Sequence, residues 1–189
     1  MGDTTVIKPQ NGSLLISEPF LGDPNFERSV VLLCSHNEQE GTFGLVLNRK
    51  SNLKLSDVID VYNDTFDAEL GIGGPVQYNT LHYVHRLSEL PQAIKLGENL
   101  YWGGDFEILR TMIGSGIVST SDIKFFLGYS GWTPGQLQEE IDKNVWIVNN
   151  NAANKLFNLE ADKLWRSVLR QMGGKYKVLS NYPVDPRLN

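Results

Sequence analysis

At 189 residues, with 41% apolar and 21% charged content, the chain reads as one ordinary globular domain over 1–189, long enough to bury roughly 70% of the surface its unfolded form exposes. The net charge of −5 comes with scattered cations, Arg49-Lys50 being the one basic pair, so no basic face is offered to phosphates and direct nucleic-acid contact is disfavoured. A single cysteine, Cys34, excludes an intramolecular disulfide and fits a reducing compartment.

The opening "MGDTTVIKPQ" has neither the basic nor the apolar region of a secretory signal, and Val6 stands where a myristoylation signal needs Ser or Thr. The longest apolar run, "VVLLC", is far short of the ~20 residues that span a membrane. These features predict a soluble cytoplasmic protein without a membrane partner.

In "SVVLLCSH", alternation places Val30, Leu32, Cys34 and His36 on one face and Ser29, Val31, Leu33 and Ser35 on the other. Apolar residues at both parities predict a strand covered on both sides. After the polar loop "NEQEGT", "FGLVLN" reads as its antiparallel hairpin partner. "KLSDVIDVY" reads as a short helix capped by Ser56, with Val58, Ile59 and Tyr62 at helical spacing. "GIGGPV" is a turn, and "LHYVHRL", "AIKL" and "LYWG" are short strands. Asp105 caps a helix that stops at Gly114 or Gly116. "IKFFLGY" and "VWIVN" are strands, and a last helix at about 160–172 gathers Leu164, Trp165, Val168, Leu169 and Met172 on one face. Strands joined by short loops outnumber helices, which predicts α+β with a mixed or largely antiparallel sheet.

Between the last two strands lies "GYSGWTPGQ". Gly128-Tyr129-Ser130-Gly131 approaches a nucleophile elbow, but that motif needs its second glycine where Trp132 stands, and all three histidines precede the serine. A strand–turn–helix joint accounts for more residues: Gly128 and Gly131 turn the chain, Thr133 caps, Pro134 takes the first helical position and Gln136 completes a capping box. No catalytic residue is assigned.

Metal binding has weak support. Cys34 and His36 share a face in the strand reading, whereas His82 and His85 point apart, so no metal is predicted. "GIGGP" and "GGD" match neither a dinucleotide fingerprint nor a P-loop, so no cofactor is predicted. Apolar neighbours make Cys34 a buried thiol rather than a reactive one.

Taken together, "GSLLIS", "DPNFERSVVLLCSH", "GTFGLVLNR", "GGPV", "LH" and "LGYSGWTPGQLQEEI" resemble, in order and over about 12–146, the bacterial YqgE/AlgH family. The resemblance implies a single-domain α+β protein whose sheet folds toward a pseudo-barrel, with no established enzymatic activity. It also implies a regulatory role in transcription, exerted indirectly. Many relatives have alanine where this chain has Ser130, which counts against a nucleophile. Among the family-motif positions, the polar residues Asp23, Arg28, His36, Asn48, Arg49 and His82 are the ones turns do not require.

Arg28 and His36 lie at opposite ends of their strand, about 26 Å apart if extended. Antiparallel pairing returns Asn48 and Arg49 toward Arg28. Asp23, Arg28, Asn48 and Arg49 therefore form the candidate ligand or partner site, with an ion-pair and backbone-capping network as the competing reading. The leading expectation is a non-enzymatic binding or regulatory protein acting through a protein or small-molecule partner. An enzyme using His36 or His82 with Arg28 or Arg49, and a direct DNA binder, are the alternatives.

Overall fold

Apolar residues at both parities put the second strand at the centre of the molecule. In the computed structural model, which describes residues 7–60, 63, 65–151, 156–157 and 160–183, β1 (Leu14–Ser17) pairs antiparallel with β2 (Val30–Asn37). All of β1 and the first five residues of β2 are buried. Leu14, Ile16, Val30, Leu32 and Cys34 enter one core, while Leu15, Val31 and Leu33 enter another across the sheet. The strand is covered on both sides, as its sequence predicts.

β3 (Gly41–Val46) returns as the expected hairpin. Then follow β4 (Lys50–Lys54), β5 (Glu69–Ile72), β6 (Val76–His85), β7 (Ile94–Gly97) and β8 (Leu100–Trp102). Next are α1 (Phe106–Gly114), β9 (Ile123–Trp132), α2 (Gln136–Asp142), β10 (Trp146–Asn149), α3 (Ala161–Met172) and α4 (Gly174–Leu179). The ten strands run β10-β1-β2-β3-β9-β6-β8-β7, with β4 on β5 and β5 on β9. Among the described residues only β5 with β9 is parallel. The fold is single-domain α+β with a largely antiparallel sheet. The sheet is not closed into the barrel that the resemblance implies, because β10 and β7 are the two ends of the strand order.

β9 is the spine. Along one edge it pairs first with β5 through Phe125–Leu127 and then with β3 through Ser130–Trp132, while β6 lies on the other. The sheet forks at Gly128, whose φ is +67° and whose absent Cβ would stand 2.8 Å from the carbonyl oxygens of Gly74 and Val76. Such close backbone approach at a left-handed φ suits glycine alone. Gly128 and Gly131 thus belong to the strand, not to a turn into the helix.

Helices cover the faces. Leu164, Trp165, Val168 and Leu169 of α3 are buried, in the core that holds Cys34, and the Trp165 indole donates to the Ser17 carbonyl at 3.0 Å. α1 packs Leu109 and Ile113 with Ile123 and Phe125 in a third core, and Asp105 caps it by accepting from the Ile108 amide at 3.0 Å. α2 places Leu137 beside Trp132 and Trp146.

Four segments differ from the sequence reading. Of the expected turn "GIGGPV", Gly71 and Ile72 end β5 and Val76 opens β6, so only 73–75 form the turn. The helix expected over 54–62 is a single 3₁₀ turn, Leu55–Asp57, whose entry amide, Lys54 N–H, is held by Asp57 at 2.7 Å rather than by Ser56. Val58 is exposed, and Tyr62 lies outside the described residues. β4, "KSNLK", is mostly exposed and polar and carries no periodic signal. Beyond the expected stop at Gly173 the chain starts again as α4.

Candidate functional site

The four residues of the polar end are brought to one place. Asn48 accepts from the Val30 amide and donates to the Arg28 carbonyl, both at 2.9 Å. Arg49 donates to the Glu27 carbonyl at 2.6 Å and to the Pro24 carbonyl at 3.3 Å. Asp23 accepts from the Asn25 amide at 2.8 Å, and its own carbonyl receives the amides of Phe26 and Glu27. Arg28, at a left-handed φ of +48°, reaches the carbonyls of Tyr182 and Pro183 and lies 4.8 Å above the Trp165 ring. Burial and nearby Arg166 lower its pKa, partly offset by Glu27. No ion pair joins Asp23 to either arginine among the described residues. What converges here is a set of side chains spent on backbone groups.

His36 lies elsewhere, and a local irregularity decides where. The β2–β3 register slips between Leu33 and Ser35, a bulge that leaves Cys34 without a partner. A bulge inserts one residue and inverts the alternation beyond it. Cys34 stays in the α3-side core, whereas His36, opposite Thr42, lines a cleft with Leu137 and Ile141 of α2. The expectation that Cys34 and His36 share a face is therefore corrected. The cleft encloses about 470 Å³, its apolar wall formed by Leu137 and Ile141 and its polar rim by His36, Thr42, Thr133 and Gln138. His36 Nδ1 meets the Thr42 hydroxyl at 2.7 Å, and Nε2 has no protein partner among the described residues.

α2 is fixed at the cleft by two devices. The Gln136 side chain accepts from the Thr133 amide at 3.0 Å and from its hydroxyl at 3.3 Å. That is one half of a capping box; the N-cap position belongs to Gly135, at φ +80°, with Pro134 before it and outside the helix. Thr133 thus donates rather than caps, and Pro134 is not the first helical residue. Below, Glu140 accepts from both Trp132 and Trp146 indoles, at 2.8 and 2.7 Å, and from Gln136 at 3.0 Å. Glu140 carries no motif in the sequence; only the strand positions of both tryptophans reveal the clamp.

The other candidates have structural partners. Ser130 is fully buried and donates to the Gly73 carbonyl at 3.1 Å. His82 contacts the Thr80 hydroxyl at 3.1 Å and packs edge-on to Phe43 and Tyr129, and burial lowers its pKa. His85 is fully buried between the Gly103 carbonyl, 2.7 Å from Nε2, and the Leu87 amide, 3.2 Å from Nδ1. Burial pushes the Cys34 thiol well up, leaving an unreactive core residue. Among the described residues no three His, Cys, Asp or Glu side chains stand where they could hold a metal, and no helix is long and apolar enough to cross a membrane.

Comparison with known proteins places this architecture. A protein from Cytophaga hutchinsonii described only as a UPF0301 protein is 47% identical over 180 residues, covering 94% of this chain and 98% of its own length. One from Bacteroides fragilis is 41% identical, with 97% and 93% covered. The crystal structure of a Corynebacterium diphtheriae protein shares the fold at a TM-score of 0.74 and 24% identity, covering 93% of this chain and 94% of its own. The solution structure of the AlgH protein of Pseudomonas aeruginosa superposes at 0.70 and 28% identity, with 94% and 98% covered. The model of the AlgH-like (DUF179) family matches residues 14–177, and the chain belongs to that family.

Proposed function

We propose that this chain is a non-enzymatic binding protein, acting in regulation, and that its ligand or partner is received in the cleft between the β2–β3 hairpin and α2. The observation carrying this reading is His36: the bulge at Cys34 turns it from the core into a cleft of about 470 Å³, where Nε2 is left for an incoming group. An apolar floor with a few convergent polar groups is the usual form of a small-molecule or side-chain pocket. Any effect on transcription then passes through what is bound, since the net charge of −5 offers DNA no matching field.

The enzymatic alternative loses support for its His36 pairings. Arg28 and Arg49 are engaged at the opposite end of β2, and neither lines the His36 cleft. The polar end of Asp23, Arg28, Asn48 and Arg49 we assign to bracing the 23–29 turn and the C-terminal segment. A fragment screen read by backbone amide shifts tests the cleft. Hits should perturb His36, Thr42 and Gln138 and vanish in Ile141→Arg; hits that cluster elsewhere and survive that change would refute the assignment.

A further inference from the structure

Thr42 is buried and faces His36 across the β2–β3 pair, its hydroxyl 2.7 Å from Nδ1. That contact admits two arrangements. Either the hydroxyl donates to a bare Nδ1 and the ring hydrogen sits on Nε2, or Nδ1–H donates to the hydroxyl and Nε2 is an acceptor. In the second arrangement the hydroxyl's own hydrogen needs another acceptor. Among the described residues it has none, His36 being the one partner of the Thr42 side chain. A buried hydroxyl that has a single partner keeps its hydrogen satisfied by donating to it, which selects the first arrangement. Other groups on the cleft's rim are oriented by neighbours. The Thr133 hydroxyl donates to Gln136 at 3.3 Å, and the Gln138 amide nitrogen donates to the Asp142 carboxylate at 2.8 Å. The ionised side chains of the lining, Lys8 and Glu38, stand one against one, so no net field selects an ion.

Resting on the cleft as the binding site, we infer that the Thr42 hydroxyl fixes His36 as the Nε2–H tautomer and that the cleft thereby selects a small, uncharged acyl compound, its carbonyl oxygen on Nε2–H and its aliphatic part on Leu137 and Ile141. Thr42 acts through His36, as a positioning residue. The volume of about 470 Å³ falls within the roughly 300–1,000 Å³ of small-molecule sites. A ligand that offers only donors there, such as an amine, sets hydrogen against hydrogen and leaves Nε2–H unsatisfied, which is how a site rejects a near-isostere.

The test has two readouts on the full chain. Long-range proton–nitrogen correlations of the His36 ring, at about pH 8.5 where imidazoles are ordinarily neutral, should show the hydrogen on Nε2. Thr42→Val, which keeps the shape and drops the hydroxyl, should raise the share on Nδ1. A wild-type ring protonated on Nδ1 overturns the tautomer whatever the cleft binds. Amide-shift titrations then compare isovaleramide with isoamylamine, which has the same carbon skeleton and no carbonyl. Isovaleramide should saturate with shifts at Thr42 and Ile141 and bind at least about threefold more tightly than the amine. Thr42→Val and His36→Phe, each checked for an otherwise native spectrum, should weaken it roughly threefold to tenfold, the size of one neutral hydrogen bond. Equal or tighter binding of the amine, or wild-type affinity in both variants, overturns carbonyl selection while the cleft stands as a site. Binding of neither compound, with the hydrogen on Nε2, removes the cleft reading and the ligand class with it. N-acetyl-leucine N-methylamide binding more than about tenfold tighter than isovaleramide overturns the small ligand in favour of a peptide.

Discussion

The Gly73 carbonyl accepts twice, from the Ser130 hydroxyl at 3.1 Å and from the Val46 amide at 2.7 Å. Removing the hydroxyl leaves that oxygen satisfied, so Ser130→Ala should shift unfolding free energy by less than about 1 kcal/mol; a larger loss in urea denaturation would mean the hydroxyl does more than fill its site. Arg28 and Arg49 are different in kind, because each holds carbonyls of segments distant in sequence. Their double alanine variant should lose about 2–4 kcal/mol while the His36 cleft keeps its fragments. A variant of native stability that fails to bind would return the arginines to a ligand-binding role. The convergence of Arg28, Asn48 and Arg49 was legible from strand ends and antiparallel return alone. What they bond to was not, because backbone carbonyls carry no residue signature.

At the scale of elements, β9 shows where glycine misleads. Gly128 and Gly131 beside Thr133-Pro134-Gly135 read as a turn, yet the strand continues to Trp132. Gly128 is there because the sheet forks and Gly74 and Val76 press against it. Gly128→Ala adds a Cβ at a φ of +67° and 2.8 Å from two carbonyl oxygens, a combination that should destabilise by about 2–4 kcal/mol. Thermal unfolding of that variant at the wild-type temperature would count against the fork. β2, α1 and α3 were readable because burial imposes period on their sequences, as in the buried Leu164, Trp165, Val168 and Leu169. β4 was not, since an exposed edge imposes none, and the 54–62 segment failed because Val58 at helical spacing is exposed. The bulge at Cys34 was equally silent: alternation is assumed by sequence reading, and one inserted residue sends His36 to the other face.

Across the whole molecule, two histidines give folding a pH dependence. His85 presents Nε2–H to the Gly103 carbonyl and an acceptor Nδ1 to the Leu87 amide, so its ring is neutral in the native state. Burial lowers the pKa of both His82 and His85 from the ordinary 6.5, the Gly103 contact opposing it in part for His85. The unfolded chain therefore binds protons first. Stability from these groups is complete above 6.5 and falls as pH drops from there through the lowered native values. Denaturant midpoints should decrease between about pH 7.5 and about pH 5.5, less steeply in His82→Gln; an unchanged slope in that variant would contradict the assignment to His82.

The functional reading rests on where His36 lies, so the most direct measurement is the set of nuclear Overhauser contacts made by its imidazole protons. With the bulge in place, the ring faces the α2 cleft that Thr42, Leu137 and Ile141 also line, and contacts should run to the methyls of those residues. Contacts instead to Leu164, Trp165 or Val168 of the α3-side core would put His36 on the face that plain alternation gives it, and the proposed binding cleft would lose its central residue.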